Sequence, residues 1–489
     1  MKSYYGVVGK VILSAIYCSL LISPQLLLSQ EAEIPITTSS EEAFELFLEG
    51  RDKLENLEIA AAALLFDEAI ENDPDFALAY LYRSQSGGGF EVARENLENA
   101  ISLVDIVSEG EKHLILCYQA QSERDGSKAK EHLDQLLKLF PDDKRVQNLA
   151  GIYFQYAKAD FETALQHYLK ATELDSNYAP AYNLIGYAHS ASGNYEAAEQ
   201  AFKTYIALIP DRPNPYDSYA ELLLKIGRFD ESIEQYRLAF EKDTLFTGAL
   251  KGIGDNYVFK GDFSKAREYY QKQYDKTPVI NGKLGALFWK ALSYVYEGNI
   301  VEASNVLEQR RTLSEEENLI PNLIGSYNIA GLILTESGNP EAGMEYYGKA
   351  SELMQESELP DPVKEGYSLG AMLSRCHILI AKNEIERAKA EADKCKQKLE
   401  SRQNPFELRR LNAILALLEL KQDNYDEALE YFSEADTEDP YNWYYMAVAY
   451  EKKGDKENAS KLFAKIAGWN ENSLGLALVR QRAIDKTKK

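Results

Sequence analysis

The 489-residue sequence predicts an all-α chain, a solenoid of about twelve stacked helical hairpins. One observation is a motif that returns in phase at a 34-residue step. Gly193, Tyr195, Phe202 and Pro210 are followed by Gly227, Phe229, Tyr236 and Thr244, then by Gly261, Phe263, Tyr270 and Pro278. A second is that apolar and small residues between these marks recur at three- and four-residue spacing, the stripe of an amphipathic helix. The third is continuity: no Pro/Gly/Ser-rich linker divides the chain, and Gly87-Gly88-Gly89 reads as an enlarged hairpin turn.

Residues 252–278 show how one unit is specified. Leu250, Ile253, Gly254 and Tyr257 form one stripe and Phe263, Ala266 and Tyr270 another, so two helices are predicted. Between them Gly261 suits a helix C-terminus and Asp262 the cap of the next helix, while Pro278 stops the second helix. Gly252-Ile253-Gly254 is not a phosphate loop. A dinucleotide fingerprint needs a further glycine where Tyr257 stands, and a strand before it. Gly254 and Ala266 instead fall where the two helices cross, with Tyr257, Phe263 and Tyr270 filling the space around them.

The order Trp443, Met446, Ala447, Tyr450, then Gly454, Ala459 and Phe463, resembles the tetratricopeptide repeat, as does Tyr182, Ile185, Gly186, then Ala198, Phe202 and Pro210. The resemblance implies helical hairpins stacked into a right-handed superhelix. Extending the register gives copies at Gly50, Ala62 and Phe66, at Phe90 and Ala93, at Ala129 and Leu133, and at Phe161, Ala164 and Tyr168. Others follow at Tyr294 and Ala303, at Gly331, Gly338 and Tyr347, near Ala388, and at Tyr425, Ala428 and Phe432. The expected organisation is a signal peptide at 1–30, a short leader at 31–42 and N-terminal repeats at 43–178. Three regular repeats at 179–280, irregular repeats at 281–408, C-terminal repeats at 409–473, and a capping helix with a basic tail at 474–489 complete it. Copies near 77–107 and 369–402 lack much of the pattern, and a kink or irregular helix pair is expected there.

The N-terminus has the order of a secretory signal: Lys2 and Lys10, an apolar stretch from Val11 to Ile22, Ser23-Pro24, and a short second apolar run ending at Ser29-Gln30. An exported, periplasmic or envelope-associated protein is expected, with a retained membrane anchor at 11–29 as the alternative; the break at Pro24 argues against a spanning helix. Net charge is −24, and removing 1–30 takes away lysines and no acid, so nucleic acid and anionic lipid are disfavoured partners. Membrane contact is expected only if the N-terminal segment is kept.

Chemistry-bearing patterns are sparse. Cys117, Cys376 and Cys395 could leave a free thiol or form one disulfide, yet all three fall where the repeat uses small packing residues. His113, His132, His167, His189 and His377 lie far apart without metal-ligand spacing, and no HExxH, CxxC, GxSxG or Walker loop occurs. The sequence therefore predicts no enzyme, no metal and no cofactor.

What remains is a surface. The resemblance implies that the first helix of each hairpin lines a concave groove. The implied positions are Asn183 and Tyr187, Asp217 and Glu221, Lys251 and Asp255, Phe288 and Leu292, and Asn328 and Leu332. This groove would be acidic, then apolar, suited to a protein or extended peptide with basic and apolar character; a small molecule or glycan bound by tyrosines is the alternative. The paired Lys and Asn that grip a C-terminal carboxylate in the family's best-known pocket are not assembled, since Lys251 stands beside Asp255. Changing Asp217, Glu221 and Asp255 together to Lys is expected to leave helix content intact.

Overall fold

Helix capping and glycine placement set the architecture. In a computed structural model that describes residues 32–400 and 405–488, no strand occurs among the described residues and 25 α-helices do. Twenty-four pair as hairpins. They are α1 (Glu41–Glu55) with α2 (Ile59–Asn72), α3 (Ala77–Gln85) with α4 (Gly89–Ser102), α5 (Glu109–Ser122) with α6 (Gly126–Leu139), and α7 (Lys144–Ile152) with α8 (Phe161–Leu174). Next come α9 (Ala179–Ala191) with α10 (Tyr195–Leu208), α11 (Asn214–Lys225) with α12 (Phe229–Lys242), α13 (Gly248–Phe259) with α14 (Phe263–Lys276), and α15 (Ile280–Glu297) with α16 (Ile300–Glu316). The last four are α17 (Ile320–Glu336) with α18 (Pro340–Glu356), α19 (Asp361–Ala381) with α20 (Ile385–Glu400), α21 (Pro405–Lys421) with α22 (Tyr425–Glu434), and α23 (Pro440–Lys453) with α24 (Lys456–Gly468). α25 (Leu474–Thr487) follows alone. No described helix is long and apolar enough to cross a membrane, and the expected signal peptide lies outside the described residues.

The turn inside each hairpin follows one rule. A residue in the left-handed region closes the first helix, and the next residue opens the second. Gly261 has φ +78°, and Asp262 Oδ1 accepts from the Lys265 amide at 3.2 Å, one orphan donor of the helix start. Gly193-Asn194 and Gly338-Asn339 repeat it. The Gly87-Gly88-Gly89 run, with φ of +83°, +93° and +87°, makes the wider turn between α3 and α4.

Five hairpins close through a glycine on the first helix and an aromatic ring on the second. A Cβ on Gly254 would come within 2.5 Å of Tyr270, on Gly186 within 2.5 Å of Phe202, on Gly50 within 2.8 Å of Phe66, and on Gly331 within 2.9 Å of Tyr347. The ring always lies 16 residues after the glycine. In the α7–α8 hairpin Gly151 meets Tyr168, 17 residues on, and the extra residue is taken up by a π-helical turn at Tyr153–Ala157. There the buried Gln155 accepts from Tyr168 OH at 3.1 Å. This is the irregularity of the first half; the weak copy near 77–107 forms an ordinary pair, α3 and α4. Substituting Gly254→Leu should cost about 1–3 kcal/mol by overpacking. By contrast Gly348→Ala, inside α18 with open space around it, should stabilise by up to about 1 kcal/mol through helix propensity. Urea titration of the two variants checks the opposite signs.

The chain divides into two compact units, Met1–Ser218 and Tyr219–Lys489. In the first, residues 32–40 run across the hairpins. The Ile34 amide donates to Asp143 at 2.9 Å, the Thr37 amide to Glu111 at 2.8 Å and the Ser39 amide to Asp73 at 2.8 Å. Ile34 and Ile36 pack on the core formed by Leu78, Leu114 and Leu149 of α3, α5 and α7. In the second unit the chain's own end plays a similar part. α25 packs against α15, α23 and α24, and the stretch before it, 469–473, lies over α13.

Candidate functional site

The first helices of the later hairpins in the second unit remain open. α17, α19, α21 and α23, with the start of α25, line a trough formed by two adjoining hollows of about 420 and 610 Å3. Its floor is apolar: Leu332, Leu373, Ile414, Leu417, Leu474 and Leu478 face it. A third recess of about 490 Å3, holding Phe288 and Trp289 of α15, meets the trough at Ile329.

The charges along the trough are unequal in availability. Asp436 and Asp439 both line it, but Asp436 Oδ1 accepts the Glu438 amide at 3.0 Å and Asp439 Oδ1 the Tyr441 amide at 2.9 Å. Burial pushes the Asp439 carboxyl above its ordinary value. Arg409 and Arg410, successive residues on α21, are exposed and have no ion-pair partner among the described residues. The Arg410 guanidinium lies across α19 at Gly370, 3.8 Å from where a Cβ would stand, an ordinary van der Waals contact.

Behind this wall is a closed polar cluster. Glu336 at the end of α17 accepts from Tyr441 OH at 2.7 Å, Tyr445 OH at 3.0 Å and Arg482 at 3.0 Å, and meets His377 Nε2 at 3.0 Å. Burial alone would raise the Glu336 carboxyl. The bonds to His377 and Tyr441 and the charge of Arg482 overcome that and hold it down to about 2. His377 thus serves both the cluster and the trough lining.

The expected groove positions are distributed differently. In the first unit Tyr187 donates to Ser218 at 3.2 Å and rests edge-on against Phe202, while Asn183 is half-buried and Asp217 engages neighbours. In the second unit Glu221 is exposed and also engaged, Phe288 lines the α15 recess, and Asn328 lines the trough with Leu332. Two positions are corrected. Leu292 is fully buried in the core because its helix turns it toward α16 and α17 rather than outward. Asp255 is 2 % exposed, covered by the C-terminal segment. Asn472 donates to it at 2.8 Å, Tyr270 OH at 2.7 Å, and Lys251 forms an ion pair at 2.7 Å while standing 4.4 Å over the Trp289 ring.

Sequence reasoning passed over Arg409, Arg410, Glu336 and the covering segment. The arginine pair had a readable signal: adjacent cations on the first helix of a hairpin in a chain of net charge −24. Two histidines far apart in sequence are neighbours, His113 Nδ1 and His132 Nδ1 lying 3.0 Å apart between α5 and α6. Among the described residues no three metal-ligating side chains converge.

Two family models match the chain, the "Tetratricopeptide repeat" over residues 441–468 and the "CABIN1 N-terminal domain" over 88–234. Among curated relatives, anaphase-promoting complex subunit 3 of Schizosaccharomyces pombe is 27 % identical over 33 % of this chain and 24 % of its own length. The TPR repeat-containing protein YpiA of Bacillus subtilis is 22 % identical over 60 % of this chain and 64 % of its own. The chain thus spans about a quarter of the first relative and under two thirds of the second. Among solved structures, PilW, a type IV pilus biogenesis factor, is 16 % identical with a TM-score of 0.31, covering 48 % of this chain and 94 % of that one.

Proposed function

The chain belongs to the tetratricopeptide repeat family, and from that premise we propose that it is a binding scaffold, not a catalyst, that holds an extended segment of a protein partner in the trough of its second unit. The observation that carries this reading is the trough itself: an apolar floor flanked by Arg409 and Arg410, two arginines with no carboxylate partner among the described residues. A segment presenting acidic side chains beside apolar ones would satisfy both. The partner chemistry therefore differs from the basic segment that the groove positions suggested, because Asp255 is spent inside the fold. Export through residues 1–30 remains part of the proposal, resting on the composition of that segment.

The experiment is site-specific photocrosslinking in the native host, with a photoreactive residue at Ser374 in the trough and, separately, at the exposed Leu245. Crosslinks should form at Ser374, and a peptide made from the crosslinked stretch should bind the isolated protein. The double variant Arg409→Glu, Arg410→Glu should weaken that peptide at least tenfold, and added salt should weaken wild-type binding, since exposed charges are screened over ~8 Å at physiological ionic strength. Crosslinking at Leu245 with none at Ser374 would remove the trough from consideration.

A further inference from the structure

Residues 32–40 of the first unit cross α3, α5 and α7 as an extended segment and alternate in exposure. Ile34, Ile36 and Thr38 are half-buried, whereas Glu33, Pro35, Thr37 and Ser39 are exposed. Pro35 restricts its own φ and disfavours helix at Ile34, so this stretch is biased toward the extended shape before it docks. Ile34 and Ile36 rest on Leu78, Leu114 and Leu149. Gly110 of α5 makes room for the first of them: a Cβ there would come within 3.0 Å of Ile34 Cγ2.

The three carboxylates that hold the segment each keep an attachment of their own. Asp143 Oδ1 accepts the Arg145 amide at 2.7 Å at the start of α7, leaving Oδ2 for the Ile34 amide. Glu111 closes the capping box of α5, its Oε2 accepting the Ser108 amide at 2.9 Å, and also takes the Thr37 amide at 2.8 Å and hydroxyl at 2.5 Å. Asp73 Oδ1 accepts the Asp75 amide at 3.2 Å, while Oδ2 takes the Thr38 hydroxyl at 2.6 Å and the Ser39 amide at 2.8 Å. These local bonds remain when the segment lifts away, and the freed oxygens turn to water, so the hairpins keep their caps in either state. Ser40 caps α1, its Oγ accepting the Ala43 amide at 3.1 Å, so release peels residues 32–39 back from a fixed point. The fit beneath is also incomplete: a cavity of about 60 Å3 remains between the two isoleucines and the helices.

We propose that residues 32–39 are a displaceable internal ligand, and that the face of α3, α5 and α7 beneath them binds in their place an extended segment of a partner protein carrying two alternate aliphatic side chains followed by hydroxyl-bearing residues. The partner's chemistry is read from the segment it replaces. Main-chain N–H groups meet Asp143, Glu111 and Asp73, aliphatic side chains meet the three leucines, and hydroxyls meet Glu111 and Asp73. Acidic residues in the register of Ile34 or Thr37 are repelled by the same carboxylates, so this face selects a different segment from the trough of the second unit. The tethered segment competes at high local concentration. An outside segment therefore gains the face by fitting better than Ile34 and Ile36 do, and the unfilled space gives a larger aliphatic side chain that advantage.

The test uses the full chain and a fluorescein-labelled peptide of residues 32–40, with binding read by anisotropy. The variant Ile34→Asp, Ile36→Asp sets two acids over the leucines and lifts the resident segment without touching the face beneath. The peptide should bind this variant at least tenfold more tightly than wild type. A peptide carrying the same two Asp substitutions should not bind, and one carrying Thr37→Val and Thr38→Val should bind at least fivefold more weakly. In wild type, hydrogen exchange should release 32–40 sooner than 109–122 of α5, as for a segment that opens while the hairpins stay folded. Exchange of 32–40 only together with α5, loss of protection in α3 to α8 of the variant, or a peptide affinity no greater for the folded variant than for wild type would each overturn the proposal.

Discussion

Glu336→Ala should destabilise the second unit by about 3–5 kcal/mol, the usual loss when one member of a buried ionic cluster is removed. The carboxylate side chain is 8 % exposed and holds four partners from three other helices: His377 of α19, Tyr441 and Tyr445 of α23, and Arg482 of α25. Its removal takes an acceptor at once from Arg482, Tyr441 and Tyr445, although Arg482 keeps the Leu478 carbonyl and Tyr441 keeps His377, so the cost exceeds that of any single hydrogen bond. The same cluster fixes a pH dependence. Glu336 is held down to about 2 in the folded chain against an ordinary 4.5, so the folded state releases this proton more readily than the unfolded state. Its contribution is fully present above about pH 4.5 and is lost as pH falls toward 2. In urea titrations from pH 7 to pH 3, wild type should lose stability below pH 4.5 and Glu336→Gln should lose less over that window. Equal slopes for the two proteins would contradict the role assigned to this carboxylate. Pairing the change with Arg482→Ala in a double-mutant cycle should give a clearly non-additive result, since the two groups share one cluster.

Helical hairpins were legible in the sequence wherever the information is local. Gly254 and Tyr270, or Gly261 and Asp262, are specified within one unit, and the fixed distance from glycine to ring carries the register along the chain. The π-helical turn at Tyr153–Ala157 was legible in principle. From Gly151 to Ala159, the left-handed residue that closes that helix, is one residue longer than from Gly186 to Gly193, and a helix that must keep its ring contact absorbs the excess as a bulge. The His113 and His132 contact was also within reach, since residues on facing helices of one hairpin approach despite their separation in sequence. The Glu336 cluster was not, because its members lie 41, 105, 109 and 146 residues away. Nothing in the spacing of α17 announces which distant helix will cover its end. The repeat pattern says which face of a first helix looks inward; it does not say what else the chain lays on that face.

Asp255→Lys is expected to be among the most damaging single changes in the protein, although the family resemblance implied an open-groove position where a charge reversal would leave the helices intact. The carboxylate is buried beneath residues 469–473, and its oxygens are used by Lys251, Tyr270 and Asn472. A lysine there would put two ammonium groups on adjacent turns of α13, at a site with no room to hydrate the second. It would also leave the Tyr270 hydroxyl without its acceptor. By the cost of breaking a buried pair, about 3–5 kcal/mol should be lost, with like-charge repulsion added. Part of that loss should appear as release of the C-terminal segment, since Asn472 contacts both Asp255 and Tyr270. Hydrogen exchange should then rise in residues 469–487 at denaturant concentrations where the first unit is still protected. Asp255→Asn is the informative companion: it keeps an acceptor for Tyr270 and removes the charge, so its deficit isolates the ion pair with Lys251. Wild-type stability and exchange in Asp255→Lys would mean that the covering segment is not seated on α13 in solution, and that the inward face of this hairpin is open to a partner after all.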